Sequence, residues 1–73
     1  MYPIQNPMQI TLNGNRQDVP DRITTAELIT DLGLNGKRLA IEVNEHIVPR
    51  STFTAHILEP DDRVEIVHAI GGG

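Results

Sequence analysis

Three glycines, Gly71-Gly72-Gly73, close the sequence directly after the apolar run Val64 to Ile70. A strand end is a costly place for glycine, because each one adds backbone entropy that folding must remove. Three residues without side chains make a slim thread ending in a carboxylate. Such a thread can enter a narrow channel in another protein and present its terminal carbon for chemistry. The competing reading of the glycines alone is a frayed end or a linker. A carboxylate is a poor electrophile, so chemistry at that carbon first requires its activation. The groups for that step have to come from a partner. The chain has no cysteine nucleophile, its one serine, Ser51, stands in no evident Ser-His-acid arrangement, and no P-loop is present to hold ATP.

The other residues with chemical potential are less organised. His46, His56 and His68 match no helical histidine pair and fall on separate elements, so no metal is expected. His68, two residues before Ile70, is read either as a contact to a partner or the tail, or as a strand histidine packed at the sheet edge. Arg50 and Arg63 can meet acidic patches on a partner or stay solvated, and Glu42 and Glu65 are expected to face water.

Seventy-three residues make one small domain with a thin core and no room for a deep enclosed site. Without cysteine there are no disulfides and no thiolate metal ligands, and nothing argues for a secreted scaffold. No apolar stretch reaches membrane-spanning length, and Met1 to Pro7 lacks the regions of a signal peptide. A cytoplasmic location is expected. Ten acidic against six basic residues give a formal charge of -4, which disfavours nucleic acid and suits a basic partner groove.

Residues 1–7 hold two prolines and no periodicity, and are read as a flexible lead-in; residues 8–70 form the domain and 71–73 a flexible tail. Met8, Ile10 and Leu12 alternate with polar residues as in a strand with one covered face. Asn13-Gly14-Asn15 turns the chain into a second strand ending at Val19. Thr24 and Glu27 fit a capping box, Leu28, Ile29 and Leu32 follow at helical spacing, and Gly33 suits a left-handed cap. Leu39, Ile41 and Val43 predict a third strand, and Asn44-Glu45 connects tightly to a fourth, His46 to Pro49. A loop with a turn of helix follows, with Phe53 and Ile57 pointing inward, and Pro60-Asp61-Asp62 feeds the last strand.

This order predicts an α+β fold of β-grasp type: a four- or five-stranded mixed sheet with one main helix on one face. The last strand then pairs in parallel with the first, near the sheet centre. In that strand Val64 and Ile66 share the helix-facing phase, which puts Val67 and Ala69 on the open face just before the glycines. Val67, Ala69 and His68 are therefore the candidate docking surface, with Gly71 and Gly72 as the threading tail and Gly73 as the reacting end.

The stretch Asn44-Glu45-His46-Ile47-Val48-Pro49-Arg50-Ser51, the turn Pro60-Asp61-Asp62 and the run Val64-Glu65-Ile66-Val67-His68-Ala69-Ile70-Gly71-Gly72-Gly73 together resemble the ThiS family. These are ubiquitin-like sulfur carriers of bacterial thiamine biosynthesis, and the likeness runs from Met8 to Gly73. The resemblance implies a protein substrate rather than an enzyme, with no tightly bound cofactor. An adenylyltransferase similar to those that activate ubiquitin would adenylate the Gly73 carboxylate with ATP. A sulfur donor protein would displace AMP to leave a thiocarboxylate, and the sulfur would pass to thiazole synthase. Neither nucleic acid nor membrane is an expected partner.

Three other readings compete. The small subunit of molybdopterin synthase has the same fold, tail and activation with a different acceptor. A ubiquitin-like modifier would end isopeptide-linked to lysines. A non-catalytic β-grasp interaction module would keep its function without Gly72-Gly73. The Ile47-Val48-Pro49-Arg50 stretch and the Val67-His68-Ala69-Ile70 run favour the thiamine carrier.

Overall fold

The computed structural model of the chain describes residues 7–68. Residues 1–6 of the lead-in and 69–73, with Ala69 and the glycine tail, lie outside the described residues.

The chain forms β1 (Met8–Leu12), β2 (Asn15–Val19), α1 (Thr25–Asp31), β3 (Leu39–Val43), β4 (His46–Val48), a 3-10 turn (Arg50–Thr52) and β5 (Arg63–His68). The strands make one five-stranded sheet in the order β2-β1-β5-β3-β4. β1 and β5 run parallel at its centre, and the other neighbours are antiparallel. This is the expected β-grasp arrangement. The glycines of the tail therefore follow the central strand of the sheet rather than an edge.

Two tight turns set the register. Asn13 and Gly14 adopt φ of 49° and 86°, the left-handed pair that suits the twist of a hairpin, and Asn44 and Glu45 do the same at 51° and 71°. In α1 the capping box closes as read: the Glu27 amide donates to Thr24 Oγ1 at 3.1 Å and the Thr24 amide donates to Glu27 Oε1 at 2.9 Å. Gly33, at φ 73°, follows the helix in the left-handed region. Seven residues of helix are too few to persist alone, so packing must hold α1 in place. Leu28 and Ile29 are buried, and Thr25 Oγ1 donates to the Phe53 carbonyl at 2.8 Å.

The core lies between α1 and one face of the sheet. Ile10, Ile41, Val64 and Ile66 of the three central strands join Leu28, Ile29 and Leu58, with Phe53 and Leu34 packed at the margin. The inward assignment of Ile57 is corrected, and Leu32, read at helical spacing, lies past the last residue of α1. Leu32 is 37% exposed, because regular helix ends at Asp31 and the chain unwinds there, leaving Leu34 to pack on the core. Ile57 is 41% exposed and Leu58 takes the inward place at 1%. The helical turn stops at Thr52, and residues 56–58 instead run extended beside Thr24. The Thr25 amide donates to the His56 carbonyl, and the Leu58 amide to that of Ile23. In extended backbone neighbouring side chains point to opposite sides, so burying Leu58 turns Ile57 out.

Candidate functional site: the strand that leads into the glycine tail

β5 is fixed along both edges, and two asparagine side chains add to the ladders. On the β1 side the Asn13 amide donates to the Val64 carbonyl at 2.9 Å. Beyond that point β1 has turned away. The Asn13 side chain takes over, with Oδ1 accepting from the Ile66 amide at 2.8 Å and Nδ2 donating to the Ile66 carbonyl at 3.4 Å. At the strand's start Asn44 exchanges backbone and side-chain bonds with Arg63: its amide donates to the Arg63 carbonyl at 2.7 Å and its Oδ1 accepts from the Arg63 amide at 2.9 Å. Asn44 Nδ2 also donates to Asp62 Oδ1 at 3.0 Å. Sequence reading placed both asparagines in turns and missed these bonds. The available signal was asparagine at positions where glycine suits the backbone equally well.

Asn13→Ala is expected to cost about 1–2 kcal/mol in urea unfolding, because it leaves the Ile66 backbone groups without their partner. Hydrogen exchange at Ile66 should rise by more than exchange in α1. An unchanged stability and exchange rate would show that water replaces the side chain at no cost.

The open face of the sheet reads in steps along β3 and β5. Ala40 opposes Val67, and Glu42 opposes Glu65 two residues further from the tail. Val67 is 59% exposed, as the alternation requires, and His68, opposite Leu39, is also exposed. These two of the candidate docking residues lie together at the end of β5 that continues into Ala69, Gly71, Gly72 and Gly73, which are outside the described residues. A concavity of about 320 Å³ sits there, lined by Arg38, Leu39, Ala40, Arg50, Val67 and His68. Among the described residues no carboxylate lines it.

The remaining candidates spread elsewhere. His46 lies on β4 and His56 in the following loop, both bordering a groove of about 430 Å³ on the β4 side of the molecule. Among the described residues no group of three histidine, cysteine or carboxylate side chains is placed to hold a metal. Arg63 approaches Glu45 at 4.0 Å with both side chains largely exposed, an ion pair of little energetic weight. No described helix is long and apolar enough to cross a membrane.

Set beside known proteins, the sequence matches the model of the ThiS family over residues 7–73. The chain belongs to the ThiS family. The match takes in the final glycines as well as the folded body. Among relatives, the "Sulfur carrier protein ThiS" of Escherichia coli is 30% identical over 66 residues, covering 90% of this chain and 100% of that one. Two proteins named "Thiazole synthase" also match, from Magnetococcus marinus at 39% and Paramagnetospirillum magneticum at 33% identity, each over 66 residues. The chain spans only 20% of the length of either. In three dimensions it is similar to the crystal structure of the thiamine biosynthesis protein ThiS from Geobacter metallireducens. That likeness has a TM-score of 0.79 at 28% identity and covers 90% of this chain and 100% of that one. ThiS-family membership and the β-grasp fold thus agree between sequence and structure.

Proposed function

We propose that this ThiS-family chain is a sulfur carrier for thiazole formation, itself a substrate of other proteins rather than an enzyme. The observation that carries the reading is that the family match continues through Gly73, so the tail belongs to what the family shares. The Gly73 carboxylate oxygen attacks the α-phosphorus of ATP on an adenylyltransferase, and pyrophosphate leaves. Sulfur at the sulfide level, delivered by a donor protein as HS⁻, then attacks the acyl carbon; the C–O bond to phosphate breaks, AMP leaves and one proton is released. The product is a thiocarboxylate, one oxygen replaced by sulfur, which a thiazole synthase consumes. ATP binds the activating partner, and the chain needs no resident cofactor or metal.

The relatives support thiazole formation over the molybdopterin alternative: two are thiazole synthases that contain a matching region, and another is named as a sulfur carrier. The physical layout fits a carrier as well. Ordering the tail in a channel costs about 1–2 kcal/mol of backbone entropy per residue, which contacts by the folded surface must offset. The exposed Val67, with Ala40 beside it, gives an apolar contact point next to the tail.

Two experiments follow. With the adenylyltransferase from the same host, exchange of labelled pyrophosphate into ATP should depend on adding this chain; exchange at the same rate without it would contradict the reading. Val67→Asp should weaken partner binding by about tenfold or more, as truncating an interface centre does, while shifting stability by no more than about 0.5 kcal/mol. A large fall in melting temperature would instead place Val67 in the core.

A further inference from the structure

The concavity at the tail end of the sheet combines an apolar floor with a cationic rim. Leu39, Ala40 and Val67 are its apolar lining residues, Arg38 and Arg50 the cationic ones, and His68 completes the lining. A second depression, of about 170 Å³, shares Leu39 and Arg50 with it and adds Lys37. Three of the six cationic residues in the sequence, Lys37, Arg38 and Arg50, are thus gathered at the end of an acidic molecule that leads into the tail. All three are exposed, and none makes an ion pair among the described residues. Arg16, by contrast, is paired with Asp61 at 3.0 Å.

The sign of the surface reverses a short way along the same face. Glu42 and Glu65 stand directly opposite each other across β3 and β5, two residues beyond Ala40 and Val67. That step is about 7 Å along a strand. With Glu45 they border a separate depression that holds Arg63. Like charges directly opposite in a sheet are unfavourable, so the folded chain keeps its sign boundary at some cost.

We propose that the residues of the tail-end concavity dock a short acidic segment of the adenylyltransferase, with an apolar side chain at its centre, at the mouth of the channel that admits the tail. The inference rests on the carrier reading, since it deepens what that reading needs for docking. Chain length separates this role from the chemistry. Residues 69–73 reach at most about 18 Å when fully extended, so a tail drawn out into a channel carries the Gly73 carboxylate well beyond the rim. The rim therefore meets the partner's surface, and the nucleotide is handled elsewhere. The Glu42 and Glu65 row bounds the acidic footprint to one strand step and orients the partner. The acidic excess of the whole sequence pointed to a basic partner groove, whereas locally the tail end asks for the opposite charge.

The test uses the full chain and the adenylyltransferase purified from the same host, with affinity read by calorimetry at low and raised ionic strength. Arg38→Glu and Arg50→Glu should each weaken binding by about tenfold, because like charges then face each other across the interface. Wild-type binding should also weaken as salt rises, and that dependence should shrink in the two variants. Arg22→Glu makes the same change of charge in a depression bordered by Asp21, Glu27 and Asp31, away from the rim, and should stay within about twofold. Thermal unfolding of each variant checks that the fold is kept, as expected for exposed positions. If both rim variants bind and become adenylated like the wild type, the inference is overturned while the carrier reading stands. Equal weakening by Arg22→Glu would trace the effect to net charge and overturn it too. If the wild type neither binds nor is adenylated, the carrier reading falls and takes the inference with it.

Discussion

Deleting Gly73 is expected to abolish sulfur loading and leave the folded body unchanged. The truncated chain still ends in a carboxylate, on Gly72, but that group sits one residue, roughly 3.5 Å, short of its former reach. Attack on the α-phosphorus requires near-contact geometry, and a displacement of about 1 Å already costs on the order of a hundredfold. Adenylate formation should therefore fall by at least about a hundredfold on the same ground. Gly73 has no side chain to bury, so the melting temperature should not move. A bulky side chain at Gly72 should block activation by a different route, through exclusion from the channel. Normal adenylation of either variant would contradict the threading account, and loss of folding on deletion would show that the tail packs on the body.

The opposite outcome is expected for Ile41→Ala, which should destroy the fold first and the function only as a consequence. Ile41 is fully buried at 0% exposure on β3, between Ile66 of β5 and Val48 of β4. Removing so much of a buried isoleucine costs about 2–5 kcal/mol in lost transfer energy and cavity. A domain of 73 residues holds on the order of 4–11 kcal/mol in total. The substitution should consume much of that reserve and leave a population unfolded at growth temperature. Urea denaturation gives the value directly. The residual folded fraction should still be adenylated at its normal rate per folded molecule. A loss below 1 kcal/mol would mean that the core collapses around the gap, contrary to the close packing of β3 and β5.

The two outcomes separate what the sequence expressed from what it hid. Alternation in Met8 to Leu12, Leu39 to Val43 and Arg63 to His68 was readable because each strand has one covered face. The Thr24–Glu27 cap and the Gly33 stop were readable because they are local chemistry. Ile57 was misplaced because nothing local shows that residues 56–58 pair with Thr24 in extended form. Leu32 kept helical spacing in the sequence while the helix itself had ended. The exposed face of Val67 followed from the phase of Val64 and Ile66, whereas the meeting of Arg38 with Arg50 did not. Those two come from different segments, and only the fold of β3 beside the 3-10 turn makes them neighbours of His68. The Asn13 bonds to Ile66 were hidden for the same reason, since they join positions 53 residues apart.

Sequence and structure also divide the labour of the molecule. The core strands and α1 hold β5 at the sheet centre, and the proposed chemistry falls to the last residue of the chain. Under the proposed function, partners supply the groups for every covalent step.

The most direct test of that claim is the fragment mass spectrum of the C-terminus after incubation with the adenylyltransferase, ATP and a sulfur donor. The account predicts a mass gain matching replacement of one oxygen by sulfur, confined to Gly73 and absent when ATP is withheld. An unchanged Gly73 under those conditions, or sulfur found elsewhere on the chain, would contradict it.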